Sequence, residues 1–155
     1  MRDSESAVEQ TPSYAIEVVT VPVNDVDRAT AYYRDVLGFG LDVDYAPTPD
    51  FRVVQLTPAG SATSIQLGVG LTGATPRSLQ GLYLVVTDLA ETHRRLTEHG
   101  AAVGPIRHKA GLPDWRGDFA PGLDPERRDY ASFADLADPD GNGWVLQERG
   151  HHAVE

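Results

Sequence analysis

The sequence repeats itself, and that repeat limits the possible folds more than any other feature. Val23-Asn24-Asp25-Val26 and Val86-Thr87-Asp88-Leu89 share one pattern of apolar, polar, Asp and aliphatic residues. Each pattern closes a β-like run, Ile16 to Val23 and Leu82 to Val86, and opens a helix-like run. Asp25 and Asp88 suit N-caps, because a carboxylate accepts the free N–H groups of a first helical turn. Glu91, three residues after Asp88, predicts a capping box. In the first helix Val26, Ala29, Tyr32, Tyr33, Val36 and Leu37 form one buried stripe, and in the second Leu89, His93 and Leu96 do the same. Gly38 and Gly100 stand where a helix ends in a left-handed residue. A repeat of this kind is read before anything else, because it decides the architecture.

Three strand-like runs follow each helix. In the first half they are Leu41–Tyr45, Phe51–Leu56 and Ser64–Val69, with Pro47, Pro49, Pro58 and Gly60 at the turns. In the second they are Ala102–His108, Ala131–Leu136 and Gly143–Glu148. Asp138-Pro139-Asp140-Gly141-Asn142-Gly143 is a strong hairpin signal. The grammar is β-α-β-β-β, twice. It predicts an α+β fold in which two tandem modules form a cupped, eight-stranded mixed sheet with the helices on its outer face. The expected boundaries are a disordered leader at 1–13 and one domain at 14–149, followed by a tail at 150–155. Within the domain the modules are 14–71 and 80–149, joined by a linker at 72–79. The second carries a long polar insertion at 110–129, and a loop of that length is usually functional or disordered. Trp115 and Phe119 within it favour partial order, as a lid would show.

Composition removes several function classes. The 155 residues contain no cysteine, so disulfides, thiolate metal sites and a cysteine nucleophile are excluded. The net charge of −10 repels phosphate backbones and anionic lipid surfaces, so neither nucleic acid nor a membrane is an expected partner. No apolar run approaches the roughly 20 residues of a membrane span. A cytoplasmic location fits the lack of cysteine. The chain also lacks a Gly-rich phosphate loop and a serine in a nucleophile-elbow context.

Val21-Pro22-Val23-Asn24-Asp25-Val26-Asp27-Arg28-Ala29, followed by Tyr32-Tyr33-Arg34-Asp35-Val36-Leu37-Gly38-Phe39, resembles the opening module of the vicinal oxygen chelate superfamily. That group contains glyoxalase I, extradiol dioxygenases and bleomycin-resistance proteins. Asp138 to Trp144 resembles the last hairpin of its second module. The resemblance runs from about Tyr14 to Arg149 and speaks for the fold more than for a reaction. It implies that metal-dependent members hold a divalent ion on the cup floor, with ligands from the first and fourth strands of each module. Those positions fall here on Val18, Gln66, Gly81 and Val145. Valine and glycine cannot coordinate, and a lone amide is a poor site for a transition metal. Neither a metal nor any other cofactor is therefore expected.

Strand alternation then orders the cup. With Val18 inward, so are Thr20, Gln66, Tyr83, Val85, Val145 and Gln147, while Val19, Val21, Ile65, Leu67, Trp144 and Leu146 face the helices. The candidate ligand-binding residues are Thr20, Arg52, Gln66, Tyr83, Trp115 and Gln147. Arg52 has two readings, inside the cup or at its rim. Trp115 either stacks on a planar ligand or clips the insertion to the sheet, and Tyr83, Gln66 and Gln147 have structural readings beside the functional ones. His108, at the mouth of the insertion, and Tyr130, at the start of a strand, are the candidate acid–base groups. The other histidines, His93, His99, His151 and His152, are read as surface or tail residues, and Arg127, Arg128 and Asp129 as surface ion pairs.

The expected function is binding of a hydrophobic or aromatic small molecule in the cup without the usual metal centre, by sequestration or metal-free catalysis. The alternative is a metal-dependent lyase, isomerase or dioxygenase with a non-standard site. Whether the chain catalyses anything is left open, as is the choice between a homodimer and a self-sufficient single chain.

Overall fold

The computed structural model describes residues 11–111 and 116–152. Ten strands and two helices follow the repeat. Module one is β1 (Val18–Thr20), α1 (Val26–Ala31), β2 (Gly40–Thr48), β3 (Phe51–Thr57) and β4 (Ser64–Val69). Module two is β5 (Leu82–Val86), α2 (Leu89–Glu98), β6 (Ala102–Val103), β7 (Arg107–Lys109), β8 (Phe119–Pro121), β9 (Ser132–Ala137) and β10 (Gly143–Glu148). The α+β class and the doubled module are as read from the sequence. The sheet is divided: β1-β4-β3-β2 form one four-stranded sheet, and β5-β10-β9-β7-β8, with β6 also on β9, form a six-stranded one. Both are mixed, since β1 runs parallel to β4 and β5 parallel to β10 while the other pairs are antiparallel.

Both helices begin as the sequence predicts. Asp25 accepts from the Arg28 N–H at 3.0 Å, and Asp88 from the Glu91 N–H at 3.1 Å. The capping box is only half made, because the Glu91 carboxylate turns outward to Arg94. Beyond Ala31 the first helix widens into one π turn, Tyr32–Val36, closed by Leu37 N–H on Tyr32 O at 3.1 Å. Gly38 and Gly100 then take φ values of +79° and +81°, which only glycine adopts without strain.

One core serves both modules. Val54, Leu56, Ile65 and Leu67 from the first sheet and Ala134, Leu136, Trp144 and Leu146 from the second are all buried, together with Val26, Ala29, Tyr33, Leu89 and Leu96 of the helix regions. The helix-facing phase expected from strand alternation is therefore correct. At the centre, the Asp138–Asn142 turn locks module two onto module one. Tyr33 donates to the Asp138 carboxylate at 2.7 Å, Trp144 Nε1 donates to Tyr33 at 3.0 Å, and Asn142 Nδ2 donates to Pro22 O at 2.8 Å. Burial and the Asp138 charge push the Tyr33 hydroxyl far above its usual range, so it stays a donor.

Candidate functional site: two open sheet walls

The faces turned away from this core form two walls. Residues directly opposite in a ladder share a face, so register fixes what each wall carries. Wall one, on the first sheet, carries Thr20, Gln66 and Gln55 across β1, β4 and β3, with Val53, Val43 and Tyr45 beyond. Gln66 Nε2 donates to Thr20 Oγ1 at 2.8 Å, so these two expected site residues form one polar spot in an apolar surface. At one end Thr57 bonds both Asp42 and Ser64.

Wall two, on the second sheet, carries Tyr83 and Val85 of β5, Val145 and Gln147 of β10, Asp135 and Phe133 of β9, and Arg107 of β7. Gln147 Nε2 donates to Tyr130 O at 3.1 Å. Tyr130 is held at φ +66°, and its hydroxyl accepts from Arg149 at 3.3 Å. A hollow of about 570 Å³ opens beside Asp135 and Val145, edged by Gly81, Ala102 and Gly143. Its size suits a small organic ligand.

Both walls are open in the single chain. Tyr45 and Tyr83 are each 57% exposed, Phe119 48% and Val85 44%, although each shares its wall with other apolar groups. β1 and β5, the strands nearest the module junction, are both terminal in their sheets and present an unpaired flank.

Two expected site residues sit elsewhere. Arg52 lies opposite Val69 in phase with buried Val54, on the helix face, where it donates to Asp27 at 2.8 Å and to Asp44 at 2.9 Å and 3.0 Å. This corrects both readings of Arg52, inside the cup or at its rim. A strand arginine beside an acidic helix start is drawn to that helix. His108 pairs with Ser132, in phase with buried Ala134 and Leu136, and its Nδ1 donates to Gly122 O at 2.8 Å. It tethers the far end of the insertion and is not on the face of Gln147. Trp115 lies outside the described residues, as do positions 1–10 of the expected leader and 153–155 of the expected tail.

Sequence reasoning missed the cationic and aromatic part of wall two. Arg107 stands 5.0 Å from the Phe119 ring and 5.7 Å from that of Phe133, and Lys109 Nζ stands 4.7 Å from Phe119. A signal existed. The Asp138–Asn142 hairpin pairs Val145 with Asp135 and Gln147 with Phe133, so the inward phase of β9 followed from that of β10.

The positions where a metal would be held do not fit one. Val18, Gly81 and Val145 offer no donor side chain, and the single Gln66 amide, whose Nε2 donates to Thr20, is by itself a poor site for a transition metal. Among the described residues, Asp88, Glu148 and His151 bring ligand atoms within 4.8 Å of one another, but they lie off both walls. Their centre is taken by Arg127, which donates to both Glu148 oxygens at 2.7 Å. Burial raises the Glu148 carboxyl. Arg127 and the Leu89 N–H outweigh that and hold it below its ordinary range. The cluster is an ion pair that anchors the loop before β9.

Two modules of βαβββ type around open sheet walls define a fold of the vicinal oxygen chelate kind. The chain belongs to the Glyoxalase/Bleomycin resistance protein/Dioxygenase superfamily, whose family model matches residues 15–146. No curated protein matches it in sequence. Among solved structures it is similar to TnmS3, an antibiotic-binding protein from Streptomyces sp. CB03234, with 28% identity and a TM-score of 0.67 over 90% of this chain and 98% of that one. It is also similar to a glyoxalase/bleomycin resistance protein from the same organism, with 29% identity and a TM-score of 0.63 over 86% and 99%. A superfamily member from Sphaerobacter thermophilus DSM 20745, 23% identical with a TM-score of 0.64 over 88% and 98%, shares the fold. No helix of the described residues is long and apolar enough to cross a membrane.

Proposed function

We propose that this protein binds and sequesters an apolar or aromatic small molecule on its sheet walls without a metal centre. The observation that carries this reading is the residue set at the family's ligand positions, Val18, Gln66, Gly81 and Val145, which leaves a neutral, partly apolar floor. The likeness to an antibiotic-binding protein supports it. Thr20, Gln66, Tyr83 and Gln147 contact the ligand, with Tyr130 at the rim. The metal-dependent alternative is disfavoured because neither wall, among the described residues, assembles the imidazoles and carboxylates such chemistry needs.

A second copy of the chain closes each wall. The exposure of Tyr45, Tyr83 and Val85, with the free flanks of β1 and β5, supports this, because a single domain rarely leaves such apolar surface to water. The test has three readouts. Light scattering should give a dimer. Elemental analysis of protein purified without added metal should give far less than one equivalent of Ni, Zn, Fe or Mn. Mass spectrometry should recover a bound aromatic ligand unchanged after incubation. One equivalent of metal whose removal abolishes binding, or a transformed ligand, would overturn the reading of a metal-free binder.

A further inference from the structure

Wall two holds a concentration of positive charge that the fold does not require. The chain carries 13 cationic and 23 acidic side chains, and most of its arginines that the structure pairs are neutralised by carboxylates on the helix face or the outer surface. On this wall the arrangement changes. Lys109, the only lysine in the chain, lies against a ring, 4.7 Å from Phe119. Arg107 spans Phe119 and Phe133, whose rings meet edge to face at 5.5 Å. Arg149 lies 5.9 Å from the Tyr130 ring at the same end of the sheet. One carboxylate answers Arg107, Asp135 at 3.1 Å, and it is itself 67% exposed and so mostly screened by water.

Cations packed on aromatic faces keep most of their hydrogen-bond donors free while their stems and planes extend the apolar surface. Phe119 is 48% exposed and offers a face or edge to a ring in the cup. The guanidinium of Arg107 and the ammonium of Lys109 flank it on the same face, where a strand pair places residues 107 and 109 side by side in phase. Such a shelf recognises a flat ring and a negative charge together.

We propose that the ligand of this wall is a planar aromatic bearing an acidic group, a carboxylate or an ionised phenol, with the ring on Phe119 and the anion between Arg107 and Lys109. The proposal rests on the cup being the binding site, and the test separates the two ideas. The probes are 2-naphthoate and its neutral isostere 2-naphthamide, titrated into the full-length protein by calorimetry. Naphthoate should bind about tenfold more tightly than naphthamide, and raising the salt should narrow the gap. Arg107→Gln and Lys109→Gln should each erase most of that ratio. Asp135→Asn, which frees Arg107, should widen it. Because Lys109 is the only ε-amine, reductive ¹³C-methylation gives one side-chain NMR signal, and naphthoate should shift it where naphthamide does not. Equal affinity for both probes, unaltered by the substitutions, overturns the anion proposal and leaves the binding cup standing. Binding of neither probe overturns both. A change in oligomeric state in Arg107→Gln or Lys109→Gln with the probe ratio intact assigns the cations to subunit contact and also overturns it.

Discussion

Asp138→Ala should destabilise the protein through the contact that joins its two halves. The Asp138 side chain is 5% exposed and accepts four hydrogen bonds: Tyr33 Oη at 2.7 Å, Asn142 N at 2.9 Å, Asn142 Nδ2 at 2.9 Å and Asp140 N at 2.9 Å. Alanine removes all four acceptor contacts. Asn142 Nδ2 keeps Pro22 O, and Asp140 sits where water can reach it. The Asn142 N–H and the Tyr33 O–H are left buried and unsatisfied, since both residues are 0% exposed. Each orphaned group costs about 1–3 kcal/mol. The desolvation of the carboxylate is recovered, which offsets part of this, so a net loss of about 3 kcal/mol is expected. For a chain of this size that lowers Tm by about 6–12 °C.

Urea unfolding followed by far-UV circular dichroism measures the effect, with Trp144 fluorescence as a local probe because its Nε1 hangs on the same Tyr33 hydroxyl. Asp35→Ala, which breaks an exposed pair with Arg34, serves as control and should leave the midpoint where it was. Combining Asp138→Ala with Tyr33→Phe should cost clearly less than the sum of the two, because the pair shares one bond. A loss under about 1 kcal/mol for Asp138→Ala, or strict additivity with Tyr33→Phe, would refute the assignment of this turn as the inter-module lock.

Two glycines offer a contrast. A Cβ at Gly68 would stand 1.8 Å from the Arg52 carbonyl oxygen, a backbone atom that cannot move without parting β3 from β4, so Gly68→Ala should cost more than about 3 kcal/mol or prevent folding, read as yield and urea midpoint. A Cβ at Gly143 would meet only the Gln80 amide, 2.1 Å away at the end of a flexible side chain, and Gly143→Ala should cost about 1–2 kcal/mol as Gln80 gives up its bonds to Arg77 O and Gly141 O. Acid should weaken the loop before β9. Hydrogen bonds from Arg128 hold the Asp124 carboxyl at about 2 against the opposing effect of burial, and Glu148 is also held low. Both folded values are depressed, so their stabilisation is present above the unfolded carboxylate range near pH 4 and is lost as pH falls towards 2. Glu148→Gln should flatten that part of the pH–stability curve, and an unchanged profile would contradict the linkage. His108→Ala should loosen the Gly122 tether, seen as faster amide exchange around 119–123.

The repeat made most of the fold legible, because its signals are local: a carboxylate before each helix, a glycine after it, and alternation along each strand. What escaped the sequence depended on chain geometry between those signals. Ala102–His108 reads as one strand, but Pro105 has no N–H for the ladder and the register on β9 shifts by one residue between Val103, opposite Leu136, and Arg107, opposite Phe133, so the run splits into β6 and β7. The split decides what wall two carries, since β7 restarts with Arg107 and Lys109 on that wall and His108 behind. The insertion reads as loop from its Gly and Pro content, yet Phe119–Pro121 adds a strand to β7. The expected first strand is trimmed to Val18–Thr20 because Pro22 interrupts its ladder, leaving Val21 N–H on Gln66 O as the last bond. Arg52 was ambiguous because its partners, Asp27 and Asp44, are distant in sequence and meet only once α1 lies on the sheet.

Part of what escaped belongs to the walls. In each module most of the helix face is set by the shared core, so its core residues are apolar and periodic and can be read directly. The wall faces carry no such demand, and their residues are less periodic. Wall one pairs neutral amides and hydroxyls with aliphatic groups, whereas wall two adds rings and cations. The modules are equal in the grammar that folds them and unequal in the surfaces they present. If a second copy brings wall one of one chain opposite wall two of the other, each cup is asymmetric: one side apolar and neutral, the other aromatic and positive. A ligand that is flat, mostly hydrocarbon and acidic at one edge would match both sides, and reversing it would set its charge against Val53 and Tyr45. The asymmetry between modules would thus fix ligand orientation as well as affinity. An aromatic carboxylate with its charge at one edge should then bind more tightly than an analogue with a second carboxylate at the opposite edge, although the second carries more negative charge.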